Sequence, residues 1–260
     1  MKRALIIASA GCSTRFSQSV GRDVCKILYH EGPETECLLE WQLELALGNR
    51  FDSIVIVGGY AYEDLCAYVQ RHHGGETRIE TVYNAHFRER GTCYSFVCGL
   101  EALRGRELDE IVFMEGDLMV DTASFSAVVE SDRDVVTATR ELIRADKSVA
   151  FYQTADGHLR YVYDPRHRAL QIDGPLVVLG NSGQTWKFRD VGLLRKTSEA
   201  LGVASHDDSN LAPIMAYFNA RGLAQAEFIA FNDWFNCNVV EDYRLVRRYK
   251  GNACMTSPTS

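Results

Sequence analysis

Three short stretches of the chain carry side chains able to manage a polyphosphate. The first is "SAGCSTR" (residues 9–15), where successive backbone N–H groups around Gly11 could form an anion-cradling nest. Arg15, Arg22 and Lys26 follow, three mobile cations suited to the several negative charges of a triphosphate. The second is "FMEGDLMVD" (113–121), an apolar run ending in Glu115-Gly116-Asp117, where a carboxylate could hold Mg²⁺ against phosphate oxygens. The third is "YNAHFRERGTCYSF" (83–96), in which Asn84 and the Gly91-Thr92 pair could offer a side-chain amide and helix-start N–H groups to the edge of a base. Each stretch also has a plainer reading: a basic surface loop, an aspartate capping a turn, and a strand-ending asparagine followed by a threonine N-cap. No GK[ST] completes a Walker loop, and no GxGxxG forms a dinucleotide fingerprint.

The elements that must position these residues alternate regularly. Strand-like runs at 4–8, 53–59, 79–83 and 110–114 are separated by helix-like stretches at 36–48, 61–72 and 92–103. In the second of these helices Tyr62, Leu65, Cys66 and Val69 share one face, and Gly48 stands where the first should be capped. Near-continuous apolar strands alternating with helices imply a parallel sheet covered on both faces by right-handed crossovers. The expected fold is a Rossmann-like α/β three-layer sandwich with a mostly parallel mixed sheet. Ligands of such sheets bind beyond the carboxyl ends of the strands. All three stretches lie there, and the connection from 9 to about 35 far exceeds the ~2–6 residues usual for such loops.

The second half reads differently. Short strands with a hairpin signal at Asp156-Gly157 suggest a small inserted β-rich region. Strands near 176–180, 185–189 and 227–231 and helices near 191–201, 210–220 and 240–249 follow. No linker divides the chain, so a single domain is expected over 1–250, in halves 1–125 and 126–250, with 251–260 as a frayed tail.

Bulk composition narrows the function classes. A formal net charge of −7 provides no general field for nucleic acid, so any polyanion must be small and held by local cations. The eight cysteines form no CxxC pair, which argues against a zinc ribbon and fits free thiols in a reducing cytoplasm. The apolar run near the N-terminus is too short for a signal peptide, and no stretch approaches the ~18–20 apolar residues of a membrane span.

Taken in order, the motifs resemble the sugar-nucleotidyltransferase superfamily, most closely its short choline-phosphate and phosphonate cytidylyltransferases. "IIASAGCSTRF" is similar to that family's "AAGxGxR" opening, "CKIL" to its "PKxL", and "LLEWQLELAL" to the helix that follows. "VYNAHFRERGTCYSFVCGLEAL" resembles the segment usually written "NNxYSL", "FMEGDLMVD" carries the metal aspartate, and "WFNCNVVEDYRLVRRY" resembles the late "xIDTxEDY" segment. The resemblance implies a Mg²⁺-dependent enzyme in which an acceptor oxygen attacks the α-phosphorus of CTP and expels pyrophosphate. The first half would bind nucleotide and the second the acceptor. The nest of Gly11, Cys12, Ser13 and Thr14, with Arg15, would hold the β- and γ-phosphates. Lys26 would neutralise charge at the α-phosphate, and Asp117, next to Glu115, would hold the metal. Ala8, Ala10, Asn84, Gly91, Thr92 and Ser95 would border base and ribose.

Four departures stand out: Ser13 replaces the loop's second glycine, Cys25 the proline before the lysine, Gly91-Thr92 the asparagine pair, and Asn238 the late metal aspartate. Serine enters positive φ less readily than glycine, and an amide oxygen is a weaker Mg²⁺ ligand than a carboxylate. The same resemblance sets Lys147-Ser148 and Asp207-Asp208 at the acceptor in place of the aromatic side chains that hold choline. That favours a small phosphonate such as 2-aminoethylphosphonate, or another phosphate ester, as the partner of CTP. Two rivals stay open, a sugar-1-phosphate nucleotidyltransferase using UTP or dTTP and a non-catalytic nucleotide-binding regulator. Oligomeric state is also open, a homodimer being one option.

Overall fold

The computed structural model describes residues 1–33, 35–164 and 168–256. In chain order its strands are β1 (Arg3–Ser9), β2 (Ser53–Gly58), β3 (Ile79–Tyr83), β4 (Glu110–Glu115), β5 (Leu118–Val120), β6 (Asp134–Thr139), β7 (Ala150–Thr154), β8 (Leu159–Val162), β9 (Leu176–Phe188), β10 (Ala226–Phe231) and β11 (Trp234–Asn236). Its helices are α1 (Thr14–Val20), α2 (Leu38–Leu47), α3 (Tyr62–His73), α4 (Thr92–Ala102), α5 (Thr122–Glu130), α6 (Val191–Leu201), α7 (Leu211–Arg221) and α8 (Val240–Thr256).

The main sheet runs β10-β6-β9-β4-β1-β2-β3, with the β7–β8 hairpin attached along β9. Pairing is parallel except at β9, which is antiparallel to both β4 and β6. Strand β1 shows why helices cover both faces. Its Ala4 and Ile6 join a core with Phe96 of α4, Leu194 of α6 and Tyr217 of α7, while Leu5 and Ile7 join another with Leu43 of α2, Leu65 of α3 and Phe125 of α5. A strand buried on both sides has no polar face, which is why "ALII" reads as an unbroken apolar run. The result is the mixed, mostly parallel α/β sandwich the sequence implies.

Several elements differ from expectation. The strands expected at 176–180 and 185–189 are the single strand β9. Gly180 and Gly183 do not break it but admit close neighbours, since a Cβ there would meet the Phe151 ring at 2.4 Å and Thr137 Oγ1 at 2.6 Å. The long first connection contains α1, anchored by buried Phe16 and closed by Gly21 at φ 80°. Gly48 does end α2, at φ −70° and without the left-handed turn expected of a glycine cap. The segment after β4 forms a two-stranded antiparallel ribbon, β5 with β11. Helix α8 continues to Thr256, so 251–256 are helical and not a frayed tail, and 257–260 lie outside the described residues. Among the described residues no helix is long and apolar enough to cross a membrane.

Candidate active site

The carboxyl ends of β1 and β4 open onto one cleft. Ala8, Ala10, Gly11, Ser13, Lys26, Thr92, Ser95, Glu115 and Asp117, nine of the residues expected to bind nucleotide or metal, line it together. Ser13 occupies the place of the missing glycine and stands in the left-handed region at φ 55°, ψ 23°. Its hydroxyl accepts the backbone N–H of Lys26 at 3.0 Å, which ties the two ends of the loop together. The Lys26 ammonium in turn donates to Asp117 Oδ2 at 2.9 Å.

The β5–β11 ribbon brings the late segment to this edge. Asn236 pairs with Leu118, and the Cys237 N–H donates to the Asp117 carbonyl at 2.8 Å. Arg15 Nη2 donates to Asn238 Oδ1 at 2.7 Å, and Asn238 Nδ2 donates to Asn236 Oδ1 at 2.7 Å. The N–H groups of Asn238 and Val239 both donate to the Asp242 carboxylate, which fixes the turn into α8. Asp117 lines the cleft, whereas Asn238, next to the Cys237 that bonds the Asp117 carbonyl, lines a cavity with Arg15; both are hard oxygen donors, each faced by a cation. Among the described residues no three acidic, histidine or cysteine side chains gather as a metal cage. Two protein oxygens with phosphate and water supplying the rest is an arrangement Mg²⁺ commonly takes, so the donor set fits that ion.

Two buried amides missing from the sequence reading hold the cleft in shape. Gln42 of α2, 1% exposed, donates Nε2 to the carbonyls of Leu118 at 2.9 Å and Glu115 at 3.3 Å, bracketing the turn that carries Asp117. Asn210, 2% exposed at the start of α7, donates its side-chain N–H to Glu115 and its backbone N–H to Thr92 Oγ1 at 3.0 Å. The available signals were a glutamine on the inward face of "LLEWQLELAL" and an asparagine directly before an apolar helix. Burial, reinforced by the charge on Asp117, pushes the Glu115 carboxyl up to about 8. Burial likewise pushes the Cys25 thiol up to about 11, so this cleft residue stays protonated at neutral pH and offers no nucleophile.

Other expected residues lie elsewhere. Cys12 and Thr14 face an outer basin on the far side of the loop. Asn84 is 1% exposed and spent internally: Nδ2 donates to Ser95 Oγ at 2.9 Å and Oδ1 accepts the His86 N–H at 2.9 Å. It has no exposed atom to offer a base, and it positions Ser95 instead. Gly91 donates its N–H to the His206 carbonyl, and a Cβ on it would lie 2.0 Å from the Asp208 carbonyl. The expected acceptor set is divided. Lys147 and Ser148 line a cavity with Arg15, Asn236 and Asn238, whereas Asp207 and Asp208 sit against the start of α4, where Asp207 pairs with Arg90 at 2.9 Å. The turn at 203–207 packs on α4 and carries these two aspartates away from Lys147. Within the cavity Lys147 pairs with Glu141 at 3.2 Å, and the Ser148 hydroxyl accepts the Arg144 N–H at 2.8 Å.

Solved structures that share this architecture include two CTP-using enzymes. The inositol-1-phosphate CTP transferase from T. maritima aligns over 93% of this chain and 91% of its own, with a TM-score of 0.63 and 17% identity. The CTP:phosphocholine cytidylyltransferase from Streptococcus pneumoniae aligns over 96% and 99%, with a TM-score of 0.65 and 16% identity. At that identity the likeness is one of fold, and that fold is the mostly parallel α/β sandwich expected from the sequence. No curated protein sequence matches the chain. The family model described as "Domain of unknown function (DUF6564)" matches residues 22–250, and the chain belongs to that family.

Proposed function

We propose that the protein is a Mg²⁺-dependent cytidylyltransferase that moves CMP from CTP to a phosphate or phosphonate oxygen of a small acceptor and releases pyrophosphate. The observation that carries this reading is the convergence of the Ala10–Ser13 loop, Lys26 and Asp117 on one cleft beside Arg15 and Asn238. The fold shared with two CTP-using transferases agrees with it.

The acceptor oxygen attacks the α-phosphorus as the bond to the bridging α–β oxygen breaks, and that electron pair leaves with pyrophosphate. No protein nucleophile is required, so positioning and charge neutralisation supply the catalysis. Lys26, which pairs with Asp117 at 2.9 Å, would meet the charge that builds on the α-phosphate, and Asp117 would be one of the residues that hold the metal. Mg²⁺, held by Asp117 and Asn238, would supply Lewis-acid polarisation of phosphate oxygens. Arg15, freed from Asn238, would meet the acceptor phosphate, because it lies on the wall shared with the cavity of Lys147 and Ser148. Glu141 and Lys147 there suit an acceptor with a further charged or polar group, such as an aminoalkylphosphonate. Asp207 and Asp208 do not line that cavity.

The test is pyrophosphate release from CTP and Mg²⁺ with a panel of 2-aminoethylphosphonate, phosphocholine, inositol 1-phosphate and sugar 1-phosphates. At least one acceptor should be turned over, with CTP preferred to UTP and dTTP. Release from none, by protein shown to be folded, would sink the reading.

A further inference from the structure

Beyond the cleft, the phosphate loop separates two spaces. Gly11 and Ser13 line the cleft, while Cys12 and Thr14 line the outer basin, so alternate residues of the loop face opposite sides. Arg22, from the end of α1, and Arg88, from the connection after β3, both line that basin. Neither guanidinium has a carboxylate partner among the described residues; Arg88 lies over the Phe87 ring at 5.1 Å. The basin's acidic residue is Asp23, and Tyr60 adds a hydroxyl.

The charge balance makes this arrangement informative. In the cleft the Lys26 charge is already matched by Asp117, while Arg15 lies in the cavity of Lys147 and Ser148, held by Asn238. A triphosphate there, even with Mg²⁺ bound, brings more negative charge than Lys26 offsets, and a further charge appears on the leaving group as the α–β bond breaks. Unpaired guanidiniums are strong, often bidentate phosphate ligands.

We propose that Arg22 and Arg88 form a clamp for the terminal phosphates of the bound nucleotide and for the departing pyrophosphate, on the outer side of the Gly11–Thr14 loop. The inference rests on the nucleotidyl-transfer reading; it gives Arg22, already a candidate phosphate cation, a defined place and adds Arg88. Because Arg88 comes from a different connection than the loop, the clamp joins the end of β1 to the end of β3 only when phosphates are present. A nucleoside monophosphate, which has no terminal phosphates, does not engage it.

Inorganic pyrophosphate and CMP are the two probes, measured by calorimetry on the full chain, with Arg71→Ala of α3 as an exposed-arginine control. Arg22→Ala and Arg88→Ala should each weaken pyrophosphate binding about tenfold. The double variant should lose most of it, and CMP affinity should stay within about twofold throughout. In turnover, Arg88→Ala should raise KM for CTP more than it lowers kcat. Unchanged pyrophosphate affinity in the double variant, equal losses for CMP and pyrophosphate, or no pyrophosphate binding by the unmodified protein would each overturn the clamp. If the unmodified protein binds pyrophosphate at these arginines yet turns over no acceptor, the clamp stands and the transferase reading fails.

Discussion

The hydroxyl of Ser13 accepts the backbone N–H of Lys26 at 3.0 Å while Ser13 itself holds a left-handed backbone. The position that lacks its glycine has therefore exchanged conformational ease for a hydrogen bond that glycine cannot make. The strain of a non-glycine residue there, of order 1 kcal/mol, is comparable with the net worth of one hydrogen bond.

Ser13→Gly should accordingly change stability by no more than about 1 kcal/mol, because relief of strain offsets the lost bond and the added chain freedom. Ser13→Ala keeps the strain and strands the Lys26 N–H, and should cost about 1–2 kcal/mol. Urea unfolding midpoints of the two variants check the order. CTP affinity should be kept or improved in Ser13→Gly.

Lys26→Ala should reduce kcat by about 100-fold or more, since it removes charge stabilisation at the reacting phosphate. The pair it breaks is partly solvated, so folding should suffer by only about 1 kcal/mol. Near-normal turnover in a folded Lys26→Ala protein would reassign this loop.

Asn238→Asp should lower the Mg²⁺ concentration for half-maximal activity several-fold, and Asp117→Asn should raise it by a larger factor, because carboxylates are the stronger ligands. Mn²⁺-dependent thermal shifts, taken without acceptor, provide a readout independent of turnover and should follow the same order.

Asp121 caps α5 by accepting the Ser124 N–H at 2.9 Å, and it also accepts the N–H groups of Asn232 and Asp233. Burial pushes its carboxyl up, but these bonds outweigh burial and hold it below the ordinary carboxylate range. Its contribution is therefore fully present above the unfolded value near 3.9 and disappears as pH falls through the lower folded value. Asp121→Ala should cost about 1 kcal/mol at pH 7. Stability curves of the two proteins should converge on acidification, whereas a constant gap down to pH 2 would contradict this account.

Lys187, with no exposed surface, donates to the carbonyls of Val129 and Ser131 and faces Glu110 at 3.0 Å. Lys187→Ala should destabilise the fold by about 3 kcal/mol, because it strands the buried carbonyls of Val129 and Ser131, opens a cavity and removes one of the cations that face Glu110 beside Arg3, with little effect on nucleotide affinity. Chemical denaturation and CTP titration of the same variant separate the two outcomes.

The local chemistry of the site was legible in the amino-acid sequence wherever it depends on residue type next to a strand end. "ALII" and "IVFM" are apolar on both faces because both are buried, and that pattern announces a central parallel strand with Gly11 and Asp117 at its carboxyl edge. What could not be read there are contacts between residues far apart in the chain. The Cys237 N–H reaches the Asp117 carbonyl through a ribbon of two three-residue strands, too short to leave a periodic trace, so only the family resemblance and no local pattern set Asn238 near Asp117. Asn84 turns inward because Ser95 and His86 satisfy both ends of its amide, and Asp207 leaves the acceptor region because its turn packs on α4. Ser13 is the sharpest case. Its identity argued against a left-handed turn, yet the Lys26 N–H supplies the bond that makes that turn affordable, and such a partner exists only once the loop has closed on itself.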